Sequence, residues 1–128
     1  MFYWDRDKTV HVTRGDIGVL PVTANIKGTK TPYVFSPGEV LRLKVFEKKG
    51  CNCVIFQKDV EVKEAAELVS IPLDRKETRI GEVIDRPKDY WYEVELNPET
   101  APQTIICYDE NGPKVFKLYP EGAPMLEA

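Results

Sequence analysis

Residues 90–96 read Tyr90-Trp91-Tyr92-Glu93-Val94-Glu95-Leu96. Tyr90, Tyr92, Val94 and Leu96 fall on one side of an extended chain, and Trp91, Glu93 and Glu95 fall on the other. A helical period of 3.6 would scatter both sets around the axis, whereas a period of two separates them. The segment therefore reads as a β-strand with a core face and a solvent face. The same alternation recurs on either side of it. Leu41, Leu43 and Val45 alternate with Arg42, Lys44 and Phe46, and Val10 and Val12 with Thr9, His11 and Thr13. Val60 and Val62 alternate with Asp59, Glu61 and Lys63. Leu20, Val22, Ala24 and Ile26 share one side of a further run, as do Val69, Ile71 and Leu73. Ile105 and Ile106 open another, and Val115 to Tyr119 closes the series.

Turn signals separate these runs: Arg14-Gly15-Asp16, Ser36-Pro37-Gly38, Lys49-Gly50, Asn97-Pro98 and Ala101-Pro102. Asp109-Glu110-Asn111-Gly112-Pro113 reads as a hairpin between the last two strands. Pro21 and Pro72 lie inside runs, which places them on edge strands or bulges, where no ladder donor is lost. Lys63 to Leu68 is too short for an independent helix and reads as a hairpin connection. Asp74 to Gly81 has the termini of one helical turn, with Asp74 as N-cap and Gly81 beyond its end.

Short strands at about ten-residue spacing predict a two-sheet sandwich, with a small barrel as the alternative. The expected core is Leu20, Val22, Leu41, Leu43, Val45, Val69, Ile71, Tyr92, Val94, Ile106, Phe116 and Leu118. The chain divides into an aromatic segment (1–7), a sandwich domain (8–119) and a tail (120–128) without strand pattern.

Composition narrows the function. The 128 residues are 42% hydrophobic and 30% charged, which argues against a disordered chain. A net charge of -3 argues against a general nucleic-acid binder. No apolar run reaches the roughly 18 residues of a membrane span. The N-terminus lacks a basic region followed by an apolar one, so it does not read as a signal peptide. Three cysteines, an odd number, read as free thiols in a reducing compartment, and synthesis is expected in a cytoplasm.

Residues that carry chemistry are sparse. His11 is the single histidine and sits on a polar strand face. Cys51-Asn52-Cys53, with Cys107, offers thiols without the spacing of a zinc site. Neither a nucleophile motif nor a phosphate-binding loop is present. The expectation is a protein without catalytic residues, metal or cofactor. Arg14-Gly15-Asp16 spells an adhesive tripeptide but is expected to mark a tight turn.

Aromatics and charge say more. Phe2, Tyr3 and Trp4 cluster at the start, and Trp91 stands among carboxylates on the solvent face of its strand. Both are candidate interface anchors, together with Met125 and Leu126 in the tail. Residues 1–76 carry 13 basic and 10 acidic side chains, and residues 77–128 carry 5 and 11. Unlike patches would favour contacts between copies if the two portions expose separate surfaces.

Several stretches carry a resemblance. Tyr33-Val34-Phe35-Ser36-Pro37-Gly38-Glu39 leads into the strand Val40-Leu41-Arg42-Leu43. Val69-Ser70-Ile71-Pro72-Leu73 and Tyr90 to Pro98 follow, then Pro102-Gln103-Thr104-Ile105-Ile106 and Phe116 to Gly122. This order resembles a family of small structural proteins of tailed phages and prophages of Gram-positive hosts, and is similar to the Ig-like N-terminal module of phage baseplate upper proteins. In that module an aromatic-x-Phe-x-x-Gly-Asp stretch enters a strand and Tyr-x-Tyr-Asp-x-x-Leu forms a late one. Glu39 and Glu93 stand here in place of the two Asp residues.

The resemblance spans residues 8–122 and implies an Ig-like antiparallel β-sandwich of seven to nine strands. It further implies a non-enzymatic virion component of the baseplate, neck or capsid surface, assembled in the host cytoplasm. That component would assemble in multiple copies, by self-association and with other virion structural proteins, without nucleic acid or membrane. The alternative from a different class is a carbohydrate- or receptor-binding module, with Trp91, Tyr90 and Tyr33 as an aromatic platform.

Overall fold

The computed structural model describes residues 2–4, 8–26, 29–47, 54–100, 102–106 and 114–120. Among the described residues, nine strands and one helical turn follow in chain order: β1 (Phe2–Trp4), β2 (Val10–Thr13), β3 (Gly18–Val22), β4 (Val40–Phe46), β5 (Val54–Glu61), β6 (Val69–Leu73), α1 (Arg75–Thr78), β7 (Lys88–Leu96), β8 (Gln103–Ile106) and β9 (Lys114–Tyr119). The architecture is an all-β sandwich. One sheet has the order β1-β2-β9-β7-β4-β5, with β8 also on β7, and the other pairs β3 with β6. The run β9-β7-β4-β5 follows the late-strand and central-strand order of the larger sheet of a variable-type Ig domain.

Periodicity explains the layers. Leu41, Leu43 and Val45 of β4 and Tyr90, Tyr92, Val94 and Leu96 of β7 are buried, while the residues between them face outward. Leu20 and Val22 of β3 and Ile71 and Leu73 of β6 close the core from the small sheet. The Phe116 ring packs edge-on to Phe56 and Tyr92, with centroids 6.3 and 6.5 Å away. Eleven of the twelve expected core residues are buried, and Val69 is half-buried against the cluster. Val10, Val12, Phe35, Val62, Leu73, Ile80, Tyr90 and Leu96 complete it.

Four features differ from the sequence expectations. The sandwich is not wholly antiparallel, because β2 runs parallel to β9, with Val10 opposite Phe116 and Thr13 opposite Tyr119. Lys63 to Leu68 is not a hairpin connection, since β5 pairs with β4 and β6 pairs with β3, so the chain crosses between sheets there. β8 and β9 do not pair with each other: both run antiparallel to β7 along one edge, β9 beside Lys88–Tyr92 and β8 beside Val94–Leu96. The residues 109–113 read as their turn lie outside the described residues. Finally, Phe2–Trp4 forms an edge strand on β2, with Tyr3 opposite His11. Phe2 also reaches β3, where a Cβ on Gly18 would come within 2.2 Å of the Phe2 ring, so only glycine permits this approach.

Three polar clamps hold the loops. Asp74 caps α1 by accepting the Glu77 amide at 3.1 Å, while Glu77 accepts the Asp74 amide at 2.9 Å and pairs with Lys58 at 2.7 Å. That is a reciprocal capping box. The Thr78 hydroxyl is buried; it accepts the Gly15 amide at 3.1 Å and donates to the Asp16 carbonyl at 2.8 Å. Glu39 gathers the third clamp, accepting from Tyr33 at 2.8 Å, the Ser36 amide at 2.6 Å and Asn97 at 2.9 Å. Burial pushes the Glu39 carboxyl up, but these donors together hold it below the usual range.

Candidate functional site

The outward-facing residues of the large sheet form rows across its strands. One row is apolar: Val54 of β5 lies opposite Phe46 of β4, Phe46 opposite Trp91 of β7, and Trp91 opposite Val115 of β9. Directly opposed side chains on one face are cross-strand neighbours. Phe46, Trp91 and Val115 are half-buried and Val54 is exposed. Trp91 therefore stands on a sheet face among apolar neighbours.

Charged rows border it. On one side Asp89 lies opposite Lys117, their charged groups 3.8 Å apart. On the other side Lys44 lies opposite Glu93, and Arg42 opposite Glu95. The Lys44 ammonium leans diagonally onto Glu95. Arg42 grips Asp59 through two hydrogen bonds of 2.8 and 3.0 Å and reaches Glu99 at 2.8 Å. Those bonds raise the Arg42 guanidinium above its ordinary value and lower Asp59. Glu93 behaves differently: burial and the neighbouring Glu95 raise its carboxyl, against the pull of Lys44. The face is thus striped along the strands, with cations on β4 and carboxylates on β7.

At the β1 margin the Tyr3 ring, about half exposed, stacks on His11 with centroids 4.4 Å apart and planes 10° from parallel. His11 Nδ1 lies 2.7 Å from the Tyr119 hydroxyl. The sole histidine is thereby held between two tyrosines on the same outer face.

The other predicted site residues separate. Phe2 packs into its own domain beside Gly18. The backbone of Trp4 pairs with Val10, while its side chain lies outside the described residues, as do Met125 and Leu126. Tyr90 is buried on the inner face, on the opposite side of β7 from Trp91. Tyr33 is bound to Glu39 and stands edge-on to Phe35 at 5.3 Å. The three rings read as a sugar platform therefore share no face. The Arg14-Gly15-Asp16 turn is pinned rather than presented. Arg14 donates to the carbonyls of Arg79 and Gly81 at 3.4 and 3.1 Å, and Gly15, at φ 90, bonds Thr78.

A polar cleft of about 470 Å³ opens at one end of the sandwich, where Lys8, Thr23, Asn25, Gln103 and Thr104 meet. Among the described residues, no group of three His, Cys, Asp or Glu side chains is placed to hold a metal ion. The three cysteines lie outside the described residues. Sequence alternation identified Trp91 as outward-facing, but Phe46, Val54 and Val115 as its neighbours follow only from inter-strand register. Compared with known proteins, the chain matches no family model, no curated protein and no solved structure.

Proposed function

We propose that the chain is a non-enzymatic structural component of a tailed phage or prophage particle, in its baseplate, neck or capsid surface. It serves in multiple copies alongside other virion structural proteins, in a particle assembled in the host cytoplasm. The resemblance over residues 8–122 supports the setting. One observation carries the assembly role: Trp91 lies in an apolar row on a sheet face, bordered by charge on both sides. An aromatic anchor with a polar rim is the anatomy of a protein–protein interface. A sugar platform needs its rings on one surface, whereas Tyr90 is buried on the inner face and Tyr33 is bound to Glu39. Trp91 in an apolar row on a sheet face thus favours a subunit contact over the carbohydrate- or receptor-binding alternative.

The test is mass spectrometry of particles purified by density gradient from the phage or lysogen that encodes the chain. The chain is expected in the particle fraction at several copies per particle. Its recovery only in the particle-free fraction would overturn the reading.

A further inference from the structure

β4 and β7 are neighbours, and their outward side chains are matched row by row: Phe46 with Trp91, Lys44 with Glu93, Arg42 with Glu95. We infer that a second copy of this chain packs on this face, across a two-fold axis that runs between β4 and β7 along the strands. The inference rests on the multi-copy role proposed above and specifies the contact it uses.

The axis follows from the pattern. It lays β7 of one copy over β4 of the other, row for row. Trp91 meets Phe46 of the second copy, Glu93 meets Lys44, and Glu95 meets Arg42. Each contact occurs twice, as an isologous interface requires. A two-fold axis turned to lie along the apolar row would instead set Asp89 over Glu93, like charge on like. A partner of one sign would match one stripe and oppose the other. Only a surface with both stripes in reversed order satisfies both, and the chain itself carries that surface. Two sheets packed face to face lie about 10 Å apart with strands within roughly 30°, which lets these side chains interdigitate. Within one copy Lys44 leans on Glu95. Glu93, with a carboxyl raised by burial and by Glu95, gains most from a second cation.

Charge-reversal variants give a test that intramolecular pairing cannot imitate. Lys44→Glu places two carboxylates in that row, and Glu93→Lys places two ammonium groups. Either variant alone sets like charges across the axis, and its dimer dissociation constant is expected to rise about tenfold or more. A one-to-one mixture restores opposite charges at both crossings and forms a heterodimer. Light scattering across a concentration series, with circular dichroism to confirm folding, reads all three samples beside the unaltered chain. A dimer from the unaltered chain, weaker association of each variant and recovery on mixing support the contact. Failure to recover on mixing overturns it, as does an unaltered chain that stays monomeric at every concentration. If both variants associate like the unaltered chain, the contact lies on another surface. That result overturns this inference and leaves the assembly reading standing, since the particle measurement tests that reading separately.

Discussion

The two outward faces of the sandwich are both partly apolar, yet they are built differently. On the small sheet, β3 (Gly-Val-Leu-Pro-Val) and β6 (Val-Ser-Ile-Pro-Leu) contain no ionisable residue. Val19, 52% exposed, lies opposite Pro72, and Pro21 lies opposite Ser70. On the large sheet, the apolar row from Val54 to Val115 runs between rows of alternating charge. Exposed apolar area alone gives attraction without orientation, whereas charge in register fixes which neighbour fits and at what angle. The prolines of the small sheet also remove backbone donors, which blunts its edges against further strands. Patterned charge around an aromatic therefore carries more orienting information than exposed apolar area.

The largest effect is expected from Trp91→Arg on the large sheet. It should raise the dimer dissociation constant about a hundredfold, the size of a central aromatic anchor, as read by sedimentation equilibrium. Retained association would move the interface off the large sheet. Next in size is Thr78→Val, which leaves the Gly15 amide and Asp16 carbonyl without their shared hydroxyl. A loss of about 1–3 kcal/mol in urea unfolding is expected, because the turn into β3 is held by that clamp. A smaller contrast separates two carboxylates, read by thermal melts of dilute, monomeric samples. Glu39 has a depressed folded-state pKa, so it contributes stability above its unfolded value that is lost as pH falls through the folded one. Glu39→Gln should lower the midpoint at neutral pH, with the deficit vanishing in acid. Glu93 has a raised folded-state pKa, so its ionised form opposes folding. Glu93→Gln should raise the midpoint at neutral pH, and that gain should vanish as pH falls through the folded-state pKa. The smallest effect belongs to Val19→Arg, within about 0.5 kcal/mol of the unaltered chain and with unchanged association. Loss of association in that variant would erase the distinction between the faces.

Much of this was legible in the sequence because sheet faces have a period of two. Leu41, Leu43, Val45, Tyr92 and Val94 could be assigned inward from spacing alone. Pro21 and Pro72 correctly marked strands with a free edge, and Asp74 as N-cap with Gly81 beyond the end marked α1, while the reciprocal bond of Glu77 showed only in the structure. Phe35 and Ile80 were not legible, because they enter the core from loops, where alternation says nothing; Val62 continues the alternation of β5 one residue beyond its end. Pairing partners were also hidden. The parallel alignment of β2 with β9 and the shared β7 edge of β8 and β9 are set by tertiary packing, and no local signal encodes them. The candidate site divides the same way. Trp91 could be placed outward from its own strand, but its row and the opposed stripes exist only once β4, β5, β7 and β9 are in register. The charge imbalance between residues 1–76 and 77–128 was visible from the start. The sandwich interleaves the two portions, so that imbalance becomes adjacent stripes rather than opposite ends.

The parallel pairing of β2 with β9 has a consequence for the timing of folding. His11 and Tyr119 touch across a separation of 108 residues. On a ribosome β2 emerges before β9 and, with β1 already beside it, stays without its parallel partner until β9 has cleared the exit tunnel. Closing so long a loop makes the last pairing step slow relative to local hairpins. The outer face of the large sheet is completed only then, because Val115 and Lys117 arrive on the same strand. A surface completed by β9 exists only in chains where β2, β7 and β9 have already come together.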